Sequence, residues 1–393
     1  MSILLSERSK NIKPSPTLAV SAHAAQLRAQ GKDIISLSAG EPDFDTPEHI
    51  KNAAIEAIND GQTKYTAVDG TPKLKQAIIN KFQRENNLDY ENNQILTSCG
   101  AKHSLYNIFQ ATLDPGNEVI IPAPYWASYP DMVKLAGAIP VIVGTAINNN
   151  FKMGAGDLEE AITTRTRMII LNSPSNPSGQ NYNKNELIAL SDVLLKHPDI
   201  LIITDDIYEH IFWGSEKFAN IINVCAELYD RTIVVNGVSK AYSMTGWRIG
   251  YAAGPEKIIK EMKKIQSQST SNPNSIAQAA AIAALDGKQD FIRGCVKTFR
   301  ERHDFLINEL QEIDDINVLA SEGTFYSFPD MNNLIEKFGK ISNDIELAEF
   351  FLDKAEVAMV PGSAFGIPGC MRISFATSME NLRESMKRIK SIL

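Results

Sequence analysis

Seven short apolar runs punctuate the middle of this chain: Gln94–Thr97, Glu118–Pro122, Pro140–Gly144, Met168–Asn172, Ile200–Asp205, Thr232–Asn236 and Ile249–Ala253. Helix-forming stretches separate most of them, Ser104–Leu113 and Lys184–Leu195 among them. Parallel strands need crossovers of a dozen or more residues, usually helical. The alternation therefore predicts an α/β fold, a mostly parallel seven-stranded sheet covered by helices on both faces. The flanks differ. A long amphipathic helix is expected from about Asp290 to Ile313, with Ile292, Val296, Phe299, Leu306 and Leu310 near helical spacing. Short strands follow, at Val318–Phe328 and Met371–Phe375, and a last helix from about Met379. A helix over Ala19–Gln30 is expected to pack with them. The expected division is a large α/β domain over residues 49–289 and a smaller α+β domain over 290–393, to which the segment 1–48 contributes.

Charge and cysteine usage narrow the function classes. The net charge of −8 argues against nucleic acid or an anionic membrane surface as the main partner. The four cysteines, Cys99, Cys225, Cys295 and Cys370, are far apart and form no CxxC pair. Neither a zinc site nor a disulfide scaffold is expected, and no metal; a reduced, cytoplasmic chain is. The N-terminal stretch lacks the pattern of a signal peptide, and no apolar run is long enough to suggest a membrane span.

Sheets of this kind bind ligands beyond the carboxyl ends of their strands, so the residues just after each run matter most. The first run leads through Ser98, Cys99, Gly100 and Ala101 to Lys102 and a helix, an arrangement that offers an anion free backbone N–H groups. After the second comes Trp126. Asn176 lies in the stiff loop "SPSNPSGQ". The fifth run ends in Asp205 and Asp206, followed by Tyr208, and a carboxylate closing an apolar strand needs a cation. The sixth leads to Lys240, and buried lysines lose basicity and become imine formers. Taken singly, each has an ordinary explanation: a plain turn, a packing Trp, a turn Asn, a snorkelling Lys. Together on one rim they describe a ligand with a phosphate, a flat ring, a phenolic oxygen, a basic ring nitrogen and an aldehyde, which is pyridoxal phosphate. Arg248, between Gly246 and Gly250, would neutralise the phosphate.

The stretches "LSAGEPDFDTPEHI", "KYTAVDGTPKLKQAI", "NSPSNPSG", "DDIYEH", "SKAYSMTGWRIGY" and "MRISFATS" make the whole chain resemble a class I aminotransferase of fold type I. The resemblance is nearest to bacterial aspartate aminotransferases and the subgroup that includes prephenate aminotransferases. It implies that Lys240 is the Schiff-base lysine and the acid–base group of the proton shift. Asp205 is implied to pair with the pyridine nitrogen, Tyr208 and Asn176 to donate to the phenolic oxygen, and Trp126 to stack on the ring. Gly100, Ala101, Lys102, Ser239 and Arg248 are implied at the phosphate, joined by Tyr65 from a second subunit of a homodimer. Arg372 is implied to clamp the substrate α-carboxylate, beside Asn176 and the backbone of Gly40. The chain departs from the family pattern at Ser178, where Thr is usual, at Asp206 in place of a Glu, and at Gly237. The acid change leaves Asp205 and Asp206 both in play for the ring; Asp205 is preferred because Tyr208 then follows at the family's spacing.

The resemblance implies reversible amino transfer between aspartate and 2-oxoglutarate. Prephenate as an added acceptor, a lyase on the same scaffold, and a regulator with an effector-sensing domain of this kind are the alternatives. The second carboxylate of a diacid substrate needs another cation, for which Lys102 is the first candidate and Lys13 the second.

Overall fold

The structure, a computed structural model, describes residues 3–393. After a two-residue strand β1 (Ile35–Ser36) come seven strands: β2 (Ile95–Ser98), β3 (Glu118–Pro122), β4 (Ile139–Val143), β5 (Thr166–Asn172), β6 (Leu201–Asp205), β7 (Thr232–Gly237) and β8 (Gly250–Ala253). They form one sheet in the order β2-β8-β7-β6-β5-β3-β4. All neighbours run parallel except β8, which is antiparallel to both β2 and β7. Four short strands follow, β9 (Tyr326–Ser327), β10 (Val357–Ala358), β11 (Val360–Pro361) and β12 (Met371–Ser374). β10 pairs with β1, and β11-β12-β9 make a small antiparallel sheet.

The mostly parallel α/β sheet expected from the alternation is therefore present. β7 and β8 are buried along their whole length, and β5 and β6 except near their ends, as helices on both faces require. Boundaries shift by a residue or two: β2 and β4 are displaced by one position, and the long helix runs Asp290–Gln311. The helix Lys184–Leu195 has the expected ends, set by an Asn183 cap on the Glu186 N–H at 3.0 Å. The larger departure is at Val318–Phe328. Only Tyr326–Ser327 is strand, because Thr324 takes a left-handed φ of 67° that interrupts the extended run.

Two apolar cores flank the big sheet's faces. One gathers Ile50, Ile78, Phe82, Leu171 and Tyr251; the other gathers Leu105, Ile121, Met168 and Val235. A third joins Ile35 and Leu37 to Phe299, Phe325, Phe351 and Ile373. That third core ties the N-terminal segment to the C-terminal third, and on it we propose the division at residues 48 and 289. Tyr208 and Ile211, just beyond β6, are packed into it as well. The rim of strand ends is therefore pressed against the smaller sheet, and the site forms between them. No helix among the described residues is long and apolar enough to cross a membrane.

Candidate active site

A cavity of ≈ 300 Å³ opens at the carboxyl ends of the sheet strands. The ends of β2, β3, β5, β6 and β7 and the turns after them supply Ala101 and Lys102, Trp126, Asn176, Asp205 and Tyr208, and Ser239 and Lys240. Arg248 lines it from just before β8, and the smaller body closes it with Tyr326 and Arg372. Ser15, Ser38 and Gly40 complete the wall from the N-terminal segment.

One end is built for an anion. The helix Ala101–Thr112 starts at Gly100, whose φ of 89° suits glycine and whose position supplies no side-chain cap. The first N–H groups of that helix therefore lack a side-chain acceptor. A side chain at Gly100 would run into Arg248, its Cβ 2.2 Å from Nη2. Arg248 itself has a left-handed φ of 58°, an uncommon backbone for a bulky residue and a frequent mark of functional strain. Its guanidinium is held by the carbonyls of Thr245 at 2.8 Å and Cys99 at 3.3 Å, with no carboxylate partner among the described residues. The Lys102 ammonium lies 4.8 Å from the centre of the Trp126 ring. Burial lowers its pKa, helped by the nearby Arg248 charge.

At the floor, β6 ends in two acids that look opposite ways. Asp205 lines the cavity, and its Oδ2 accepts the Tyr129 hydroxyl at 2.6 Å. Its Oδ1 has only the Ile207 N–H at 3.4 Å. Burial pushes its pKa up to about 6, against the pull of Tyr129. Asp206 points into the protein, where it accepts from Thr204 at 2.5 Å and Asn220 at 2.9 Å. Of the two, only Asp205 can meet a ligand in the cavity.

Lys240 is half-buried, and its Nζ donates to the Gly40 carbonyl at 2.5 Å. Its pKa falls to about 8, first through burial and then through the Arg372 charge. Arg372, on β12, is 2 % exposed. Its Nη1 donates to Asn176 Oδ1 at 3.0 Å and its Nη2 to the Ser38 carbonyl at 2.9 Å. Its Nε has no hydrogen-bond partner among the described residues, and its guanidinium carbon lies 4.4 Å from the Tyr326 ring centre. A buried guanidinium without an acid partner calls for an anionic ligand. The Tyr208 hydroxyl sits 3.2 Å from that of Tyr326.

These features match known proteins along the chain's length. A family model for class I and II aminotransferases matches residues 32–389. The chain belongs to the class I and II aminotransferases. A protein of Nitrosomonas europaea named aspartate/prephenate aminotransferase is 59% identical over 394 residues, 99% of either chain. The structure of the Rhizobium meliloti aspartate aminotransferase superposes with a TM-score of 0.96 at 47% identity, covering 99% of this chain and 98% of that one. The Thermus thermophilus aspartate aminotransferase solved with maleate gives 0.93 at 42%, each chain covered fully.

Aminotransferases of this family use pyridoxal phosphate, and this one has residues that fit it. The uncapped helix start with Arg248 suits a phosphate, the half-satisfied Asp205 suits a protonated ring nitrogen, and the Lys240 amine suits an aldehyde. Two expected residues lie elsewhere. Tyr65 is 92% exposed on the outer surface, and Lys13 is exposed outside the cavity wall, though Ser15 and Thr17 beside it line it. Sequence reasoning missed Tyr129, Tyr326 and Ser38. Tyr129 had a usable signal, three residues after Trp126 and so one turn further on; Ser38 and Tyr326 had none.

Proposed function

We propose that this aminotransferase moves the amino group reversibly between L-aspartate and 2-oxoglutarate, and that prephenate also serves as acceptor. One observation carries the reading. Lys102, Lys240, Arg248 and Arg372 all line the cavity, none has a carboxylate within ion-pair distance among the described residues, and Asp205 is the only acid in the wall. In a chain of net charge −8, Arg248 is given to the phosphate, Arg372 to the α-carboxylate and Lys240 to the aldehyde, which leaves the Lys102 ammonium free for a second carboxylate. A dicarboxylate supplies it. The naming of the Nitrosomonas europaea relative for aspartate and prephenate, and the maleate in the Thermus thermophilus structure, favour the same substrate class.

Bound pyridoxal phosphate supplies the aldehyde and the electron-withdrawing ring that make the substrate's α-proton removable. In this reading the chain's own groups do the rest. Arg372 holds the α-carboxylate by a two-point contact, oriented by Asn176 and the Ser38 carbonyl. Lys240 Nζ takes the α-proton and returns it on the other side of the transfer. With its pKa lowered to about 8, it keeps a share of neutral amine near pH 7. Asp205 would accept the ring N–H, and Tyr129 keeps its carboxylate aligned. Tyr208 and Asn176 would donate to the phenolic oxygen. Gly100, Ala101, Ser239 and Arg248 would hold the phosphate and Trp126 would cover the ring, while Gly40 receives the lysine amine.

Lys102 is assigned to the distal carboxylate, with Lys13 second. The enzyme is proposed to act as a cytoplasmic homodimer in which Tyr65 reaches the partner's phosphate. A panel of acceptors, 2-oxoglutarate, oxaloacetate, prephenate and aromatic oxo acids, with aspartate and glutamate as donors, tests the substrate class. Lys102→Ala should raise KM for aspartate and 2-oxoglutarate roughly ten- to a hundredfold, the loss of one charge-assisted contact, and leave alanine and phenylalanine almost unchanged. Equal losses for diacids and neutral amino acids would assign Lys102 to the cofactor. Product release without any oxo acid would favour a lyase.

A further inference from the structure

Behind the turn that carries Asp205 and Tyr208, facing away from the cavity, lies a second charged cluster that this chemistry does not use. Its centre is Lys81, at the end of the helix Pro72–Lys81, with no exposed surface. Its ammonium donates to the Glu209 carboxylate and, at 2.6 Å, to Asn86 Oδ1. Asn86 in turn donates to Glu209 Oε2 at 2.6 Å, and Asn236 donates to Oε1 at 2.7 Å. Around the pair stand Asp206, capped by Thr204 and Asn220, and Glu85, 3.6 Å from Lys81 and bonded to His210 at 2.8 Å. Glu85, Glu209 and His210 bring ligand atoms close together, but Lys81 already occupies the place of a cation there. Burying such a pair is costly unless every donor and acceptor is satisfied, and here Glu209 is.

Glu209 touches both halves of the catalytic rim. Along the chain it directly follows Tyr208, and its N–H bonds the Asp206 carbonyl at 2.9 Å. Across the sheet it holds Asn236 near the end of β7, and Asn236 Oδ1 accepts the Gly237 N–H at 2.7 Å. Ser239 and Lys240 come next. One carboxylate thus links the turn bearing Asp205 and Tyr208 to the strand end bearing Lys240, and Lys81 fixes that carboxylate.

We propose that Lys81 and Glu209 are positioning residues whose buried ion pair sets the placement of Lys240 against Asp205 and Tyr208. This rests on the roles given to those three residues above. The tests are Lys81→Met, Glu209→Gln and the double variant in the cofactor-loaded enzyme. Each single change should shift the pH at which the visible band of the Lys240-bound cofactor titrates by about half a unit or more. It should lower kcat on the order of tenfold, since small misplacements at a reacting centre are expensive, and leave KM for aspartate within about twofold. The double variant removes both buried charges at once. It should regain the parent's thermal midpoint yet keep the displaced titration and low kcat; a double variant with the parent's titration and kcat overturns the proposal. If a single variant does not fold, Asn236→Ala decides, because it leaves the ion pair and cuts its link to the Lys240 strand. A displaced titration there supports the proposal and an unchanged one overturns it. Lys240→Ala is the control for the underlying reading: a surviving titratable band in that variant would fault the role of Lys240, not the action of the ion pair.

Discussion

Replacing Arg372 by Met tests the substrate clamp most directly. The guanidinium is buried, spends Nη1 on Asn176 and Nη2 on Ser38, and has no acid partner among the described residues. A substrate carboxylate would receive two charge-assisted hydrogen bonds, each worth about 1.5–3 kcal/mol. Losing both removes about 3–6 kcal/mol, or roughly 10²–10⁴ in kcat/KM at about 1.4 kcal/mol per decade. Stability should respond differently. Removing the cation relieves a desolvation cost of several kcal/mol, about the size of the penalty for orphaning the Asn176 and Ser38 acceptors. Methionine also packs against Tyr326 and Phe365, whose ring centres lie 4.4 and 4.9 Å from the guanidinium carbon. The thermal midpoint of the cofactor-free protein should therefore move by a few degrees at most, on the order of 2–4 °C per kcal/mol. Arg372→Lys should behave much like Arg372→Met in turnover, because a point charge cannot replace the fork. Steady-state kinetics with aspartate and 2-oxoglutarate, beside a melting curve, read both effects. A kcat/KM loss below tenfold in a folded Arg372→Met protein would refute the clamp.

Lys240→Ala should abolish turnover and remove the pH-dependent visible band, and multiple turnover near the parent rate sinks the assignment. In the cofactor-free protein the lysine's pKa, lowered to about 8 from 10.5, makes the folded state bind fewer protons than the unfolded one between those values. Its destabilising contribution is thus full below pH 8 and fades as pH rises toward 10.5, so Lys240→Met should stabilise the protein more at pH 7 than at pH 10, seen by denaturant melts at the two pH values. Asp205→Ala should cost far more in kcat than in cofactor affinity, because the carboxylate acts on charge developed in the transition state. Asp206→Asn should keep cofactor binding and most of kcat, since its carboxylate faces Thr204 and Asn220; the reverse ranking in kinetics and cofactor titration would exchange the two roles. Mixing Tyr65→Ala with Lys240→Ala subunits should restore part of the lost activity through hybrid dimers, and a fully active monomer at nanomolar concentration contradicts the shared site.

Much of this molecule was legible along the chain because its causes are local. Mostly apolar runs of four to six residues separated by helical stretches are best buried as strands of a covered sheet. The residues that follow the six runs sharing one direction then fall on one rim, which is why Trp126, Asn176, Asp205, Tyr208 and Lys240 could be named together from the sequence. The α/β class, the family and the cofactor followed from those residues and the stretches around them. The sequence by its own residues could not settle which acid of the Asp205–Asp206 pair enters the cavity, and only the resemblance, through the spacing to Tyr208, favoured Asp205. Both are buried, and the direction is decided by partners: Tyr129, 76 positions away, takes one, and Asn220 the other. Nor could it seat Arg372, whose contacts are Asn176 at 196 positions and Ser38 at 334. Only the packing of the N-terminal segment and the small antiparallel sheet onto the strand ends brings those atoms together. The ion pair of Lys81 with Glu209, 128 positions apart, was equally invisible, because a charged lysine at the end of an amphipathic helix reads as a solvated one. Periodicity along a chain reports which faces are buried, but a buried charge is satisfied by whatever the fold places beside it, and that is a property of the folded whole.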